Sequence, residues 1–282
     1  MTGVQTCALP IYELEFRSEV VRRKDLFVAV FANLAHNENR ILKISESLKA
    51  YNDRVKDHFA NSNRFDGSNT QPFTQYVEGG SQTSIWGVPS LGIDPATGEE
   101  IFIRPDGSIT NTWNTNDQVV LGDTEPKIQG TFGLNATYKN LSLYMTFMYE
   151  AGGQIYNSTL RDKVEDVNVY TSNVDKRVFS ERWQEPGDKA RYRKLTSGVG
   201  GSIMRTRPTS RFVEDNNVLT LNSISLGYDF DAGQKWMKTI GLSMLRFEIG
   251  ANDVCRWSSV KVERGLNYPY ARSFNFSLKA AF

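Results

Sequence analysis

The sequence predicts an all-β chain, and three observations predict it. Apolar residues recur at every second position in one stretch after another, turn-forming residues separate the stretches, and the last stretch runs to the carboxyl terminus. In that closing stretch Phe274, Phe276, Leu278, Ala280 and Phe282 alternate with Ser273, Asn275, Ser277, Lys279 and Ala281. Successive side chains of a strand point to opposite faces, so this is a strand with one apolar and one polar face. A soluble sandwich and a transmembrane barrel both use such strands, and alternation alone leaves both open.

Bulk composition narrows the function classes. The 282 residues carry a formal net charge of +1 with 23% charged residues, which gives no basic footprint for nucleic acid. Mean hydropathy is −0.44, and the chain has no apolar run of the roughly 18 residues that a membrane-spanning helix needs. Barrel strands alternate and are hydrophilic on average, so a barrel stays open. Aromatics make up 12% of the chain, enough for the two interfacial girdles of a barrel or for a sandwich core. Two cysteines, Cys7 and Cys255, make neither a disulfide framework nor a metal spacing. Two histidines, His36 and His58, read as loop residues and leave little for histidine catalysis or zinc.

Met1 to Ile11, "MTGVQTCALPI", has no strand or helix pattern and no signal-peptide anatomy. It resembles the translation of a common sequencing-library adapter. Residues 1–11 are therefore set apart, and the expected native frame of 12–282 begins near Tyr12 as a fragment. From there the period is two. Leu14, Phe16, Ser18 and Val20 oppose Glu13, Glu15, Arg17 and Glu19, and a Lys24-Asp25 turn leads to Leu26, Val28, Val30, Ala32 and Leu34 on one side of a second strand. Residues 37–82 read as a long polar loop, with a helix possible near Ile41, Ile44 and Leu48. "TSIWGVPSLGIDPATGEEIFIRPDGSI" predicts two strands around the turn "DPATGE". The clearest hairpin sets Phe132, Leu134, Ala136 and Tyr138 against Leu141, Leu143, Met145, Phe147 and Tyr149 across Lys139-Asn140. Residues 154–217 read as a second long loop. "VLTLNSISLGYDF", "LSMLRFEIGAND" and the terminal strand complete a set of about nine strands, each roughly 9–13 residues, which suits a tilted crossing of about 30 Å of hydrocarbon.

Short turns at one strand end and long loops at the other match outer-membrane barrels better than sandwiches. The terminal Phe282, preceded by Phe274, Phe276 and Leu278, resembles the carboxyl-terminal signal by which such barrels are recognised for assembly. It turns the reading to a barrel whose apolar face meets lipid, with Arg246, Glu248, Asn135 and Thr137 on the wet side and Trp236 and Trp257 in the girdles.

No catalytic constellation emerges. Glu99-Glu100 and Glu214-Asp215 are sequence neighbours, which point to opposite faces of a strand and cannot flank one bond; a solvated structural role is expected. "SGVGGS" lacks the lysine of a phosphate loop, and "DPATGE" reads as a turn rather than a calcium loop. The expected site inventory holds no catalytic, metal or cofactor residue. Weak binding candidates are the loop aromatics Trp86, Trp113, Tyr170 and Trp183, on which sugar rings could stack, although a loop packing on itself uses the same residues.

Five phrases in order carry a family resemblance: "GIDPATGEEIF", "LGDTEPKIQGTFGLNATYKNLSLYMTFMYEAGGQIYN", "RWQEPGD", "SRFVEDNNVLTLNSISLGYDF" and "YPYARSFNFSLKAAF". They resemble the carboxyl-terminal region of SusC/RagA-type TonB-dependent outer-membrane transporters, over almost all of the chain from Tyr12. "NDVCRWSSV" departs from that pattern. The resemblance implies part of a 22-strand barrel, with no plug domain and no TonB-contacting motif in this stretch. It also implies a Gram-negative outer-membrane location and import of oligosaccharides or peptides. The implied partners are a SusD-like surface lipoprotein, the TonB complex, the barrel assembly machinery and outer-membrane lipid. A soluble β-sandwich carbohydrate-binding module is the alternative, and a glycosidase domain a distant third.

Overall fold

The structure is a computed structural model and describes residues 5–8, 11–62, 69–171, 173–195, 204–231, 233–261 and 272–282. The strands in chain order are β1 (Gln5–Ala8), β2 (Tyr12–Arg22), β3 (Leu26–His36), β4 (Asn39–Lys43), β5 (Ser84–Gly87), β6 (Ser90–Ile93), β7 (Glu100–Ile103), β8 (Ile109–Thr110), β9 (Val119–Asp123), β10 (Ile128–Tyr138), β11 (Leu141–Tyr156), β12 (Val213–Asp229), β13 (Met244–Ser258) and β14 (Ser273–Ala281). The main helix, α1, spans Glu46–Asn61. The chain forms two compact units: Met1–Leu9, Glu38–Glu125 and Gly153–Asp215 make one; Pro10–Asn37, Pro126–Gly152 and Asn216–Phe282 make the other.

The second unit is one seven-stranded sheet in the order β14-β13-β12-β11-β10-β3-β2. The paired strands run antiparallel, and the order follows the chain except that β3 pairs with β10 across the intervening insertion. Register assigns every side chain to a face. Leu34 lies across from Leu14, Val30 from Leu134, Leu134 from Met145, and Phe132 from Phe147. At the other edge Phe247 lies across from Tyr228 and Leu278, and Ile249 from Leu226 and Phe276. The apolar sets therefore share one face, and Arg17, Asn135, Thr137, Ser142, Arg246, Glu248 and Asn275 share the other. No second sheet covers the apolar face among the described residues of this unit, and Leu14, Phe16, Phe274, Phe276 and Leu278 on it are exposed.

Both ends of the sheet are marked. At one end the chain turns tightly: Arg23 N donates to Leu26 O, Lys139 N to Asp25 O, Asp229 N to Asn140 O, and Ser243 N to Ala281 O. Phe282 emerges at this end. The two longest connections, 37–127 and 157–212, leave from the opposite end together with 259–272, while the link 230–243, as long as 259–272 and holding a helical turn at Lys235–Thr239, lies at the tight-turn end. The two longest connections follow the asymmetry expected from the sequence; the link between β12 and β13, read as short, does not.

The first unit is built from the two longest connections together with β1, which pairs with β4. Its core joins Leu160, Val164, Val167, Val178, Tyr192 and Phe212. Helix α1 is capped by Ser45, whose side chain accepts from Leu48 N, and buries Val55 and Phe59. Phe59 packs edge-on against Phe73, with ring centroids 5.5 Å apart.

Several expectations change. Ile41 belongs to β4 and the helix begins only at Glu46, because Ser45 can cap while Ile41 is wholly buried in a strand. The 37–82 and 154–217 stretches are not plain loops: the first holds β4 and α1, and the second holds helical turns at Ser158–Leu160, Arg161–Glu165 and Arg177–Ser180 as well as the ends of β11 and β12. Four short strands, β5 to β8, replace the two expected around "DPATGE". Of about nine long strands, seven belong to the main sheet. A register shift between Glu19 and Val21 pairs Val21 with Val28, so Val20 drops out of the alternation. His36 ends β3 and His58 lies in α1, so neither is a loop residue. Gln5–Ala8, given no pattern from sequence, pairs with β4. "SGVGGS" lies outside the described residues.

Candidate functional site

The first unit concentrates buried charge. Arg211, in the turn Ser210–Phe212, grips Glu100 of β7 with both sides of its guanidinium: Nε donates to Oε1 and Nη2 to Oε2, each at 2.8 Å. Nη2 also reaches Glu165 Oε1 at 2.9 Å, and Thr209 Oγ1 donates to Glu100 Oε1 at 2.7 Å. Arg193 pairs with Glu165 at 3.3 Å and with Asp166 at 3.0 Å, and Thr206 donates to Asp166 through N and Oγ1, both at 2.8 Å. Arg182 sends its donors to backbone carbonyls of Val164, Glu165, Val178 and Arg193, tying three segments together.

The electrostatics follow from this packing. Burial pushes the Glu100 carboxyl up, but Arg211 and the hydrogen bonds outweigh it and hold the pKa below its ordinary value. Burial pulls Arg211 down, and the facing Glu100 and Glu165 raise it well above the usual arginine value. Arg182 is lowered, chiefly by burial. Glu100 is 6% exposed, which corrects the solvated role expected of the Glu99-Glu100 pair. Glu214 instead holds Arg191 at 3.0 Å and Asn157 at 2.8 Å. Each of these carboxylates is tied to a cation, so the arrangement fastens segments together. Among the described residues no cluster of His, Cys, Asp and Glu could hold a metal.

Beside this network lies a cavity of about 70 Å³, lined by Arg193, Arg205, Arg207, Thr206, Trp113 and Glu99 among others. The guanidinium of Arg207 sits 4.8 Å over the Trp113 ring, and Trp113 Nε1 donates to Pro208 O at 3.0 Å. The arginines went unremarked from sequence. The available signal was the run "RTRPTSR", with Arg205, Arg207 and Arg211 close together in a segment without periodicity.

The four loop aromatics are dispersed over different roles. Trp113 lies in the cavity wall, with Phe59 at 5.3 Å. Trp183 packs on the "DPATGE" turn, donating from Nε1 to Pro95 O at 2.9 Å. Gly98 there has φ +71°, and a Cβ on it would meet Trp183 at 2.5 Å, so the turn requires glycine on both counts. Trp86 lies on β5 with its Nε1 buried and unpartnered. Tyr170 is 81% exposed, the freest platform of the four. Phe274, Phe276 and Leu278 line the apolar face of the sheet, and Phe282 lies just beyond β14.

No model of a known protein family matches the chain. It is 23% identical over 297 aligned residues to TonB-dependent receptor P3 of Formosa agariphila, covering 96% of this chain and 28% of that protein. A second receptor of the same organism, TonB-dependent receptor P26, is 24% identical over 149 residues, 53% of this chain and 14% of that protein. Solved structures of the RagAB peptide importer share the fold. In the closed-closed state the TM-score is 0.70 at 19% identity, over 96% of this chain and 29% of that one. In the open-open state it is 0.69 at 20% identity, over 96% and 28%. A further structure of the RagAB peptide transporter gives 0.66 at 20% identity, over 89% and 26%. The chain thus spans under a third of the proteins it matches. Its fold is that of part of a large antiparallel barrel, and the resemblance to SusC/RagA-type TonB-dependent transporters holds in both sequence and fold.

Proposed function

We propose that the chain is the carboxyl-terminal barrel portion of an outer-membrane, TonB-dependent importer of oligosaccharides or peptides in a Gram-negative bacterium. One observation carries this reading: a largely apolar face across a seven-stranded sheet with strands of 9 to 17 residues, its large side chains exposed on β2 and β14. Lipid is the solvent such a face fits. The unit built from the long connections then stands outside the cell, where a SusD-like lipoprotein would close over captured ligand before a plug, driven by the TonB complex, releases it inward. Phe274, Phe276, Leu278 and Phe282 form the signal read by the barrel assembly machinery. Met1–Ile11 is adapter-derived in this reading, and Tyr12 onward is native.

Fractionation tests the reading. The protein is expected with the outer membrane and soluble only in detergent. Leu143→Arg or Phe147→Arg places a charge on the lipid face at a cost of about 2–4 kcal/mol near the midplane and should block insertion. Recovery of the unaltered protein from the soluble fraction, or normal insertion of both variants, would overturn it.

A further inference from the structure

The cavity beside the buried charge network includes one arginine, Arg205, with no carboxylate partner among the described residues. Three arginines and two glutamates line it, and both glutamates already have cations: Glu99 holds Lys194 at 3.0 Å and Glu100 holds Arg211 at 2.8 Å. Arg193 is likewise consumed by Glu165 and Asp166. Arg205 differs. Its guanidinium makes one hydrogen bond, from Nη1 to the backbone carbonyl of Asp166 at 3.1 Å, and no carboxylate among the described residues lies within ion-pair distance. Asn111 and Thr112 add neutral polar groups to the same wall.

Size and shape restrict what could fill the space. About 70 Å³ admits a few waters or a group of three or four heavy atoms, and is too small for a sugar ring or an aromatic side chain. The Trp113 face is already covered by Arg207, so stacking of a ring there is excluded. A guanidinium presents parallel N–H donors in a planar fork, which a carboxylate matches with two oxygens. We propose that the cavity takes a carboxylate group of the imported ligand, with Arg205 as its ion-pair partner and Arg207 held alongside by its stack on Trp113. This deepens the importer reading and rests on it. The carboxylate could belong to a peptide, at its terminus or an acidic side chain, or to an acidic sugar.

Calorimetric titration of the detergent-solubilised chain tests the proposal without requiring transport. One pair of probes is acetyl-triglycine and its amide; the other is a galacturonic acid trimer and its methyl ester. An acid that binds about tenfold more tightly than its neutral counterpart supports the proposal, and the pair that shows it identifies the source. Arg205→Met should abolish that preference and Arg205→Lys should keep much of it. Glu99→Gln removes a negative charge from the lining and should strengthen acid binding, an effect that a misfolded variant cannot mimic. Equal binding of acid and neutral probes in both pairs, or a preference that survives Arg205→Met, overturns the proposal. Failure of the importer reading would appear separately, as a protein that does not enter the outer membrane whatever it binds.

Discussion

Glu100 shows how residue type and residue role part company. From sequence it is one of two adjacent acids in a turn-rich stretch; in the fold it is buried, with a bidentate arginine and a threonine completing its acceptors. Breaking such a pair from one side leaves a buried charge, so Arg211→Met should destabilise the first unit by about 3–5 kcal/mol, and the double variant with Glu100→Gln should regain a large part. Denaturant unfolding of the single and double variants measures both. The pH dependence has a definite sign. A carboxyl whose folded pKa lies below its ordinary 4.5 contributes stability that is complete above that value and is lost as pH falls through the folded pKa. Thermal unfolding should therefore move to lower temperature as pH drops below about 4.5, and the change should shrink in Glu100→Gln. An unchanged acid response in that variant would assign the effect to other groups.

At the scale of the element, the β10–β11 hairpin was legible around its turn, although β11 runs on to Tyr156, into the stretch read as loop. Its eleven cross-strand pairs run from Ile128↔Ala151 to Tyr138↔Leu141 around the Lys139-Asn140 turn read from sequence. Legibility came from strict alternation on both arms. What alternation could not reveal is the packing across the polar face: Phe31 lies over Gly133 and stacks on Tyr144, centroids 6.0 Å apart. A Cβ at Gly133 would come within 2.2 Å of Met145 O and 2.6 Å of the Phe31 ring. Gly133→Ala should accordingly displace both the β11 backbone at Met145 and the Phe31 ring and cost about 1–3 kcal/mol, read as a lower unfolding temperature in detergent. Wild-type stability in that variant would show that strand and ring both have room to yield. Helix α1 marks the opposite case. Its apolar spacing suggested a start near Ile41, but a serine cap and the pairing of Ile41 in β4 moved the boundary to Glu46.

At the scale of the whole molecule, the placement of Phe282 beside the tight turns ties the terminus to the end of the sheet opposite the two longest connections. If it is the assembly signal, deleting Phe282 should slow insertion while leaving the first unit's core untouched. Pulse-chase fractionation would follow this, and unaltered insertion kinetics would remove the residue from that role. By itself the sequence determined the sheet, its two faces and the end from which its two longest connections leave, because the strand period is local and the faces survive the register shifts between Glu19 and Val21 and between Leu221 and Ser223. Only the tertiary structure decided the interior of the first unit. There Arg193, Arg205, Arg207, Arg211, Glu100, Glu165 and Asp166 come from segments as much as 111 residues apart, as the Arg211–Glu100 bond shows. No periodicity links such residues. Their meeting depends on long-range closure, and so does the distinction between a carboxylate already tied to a cation and a cavity with a guanidinium left for one.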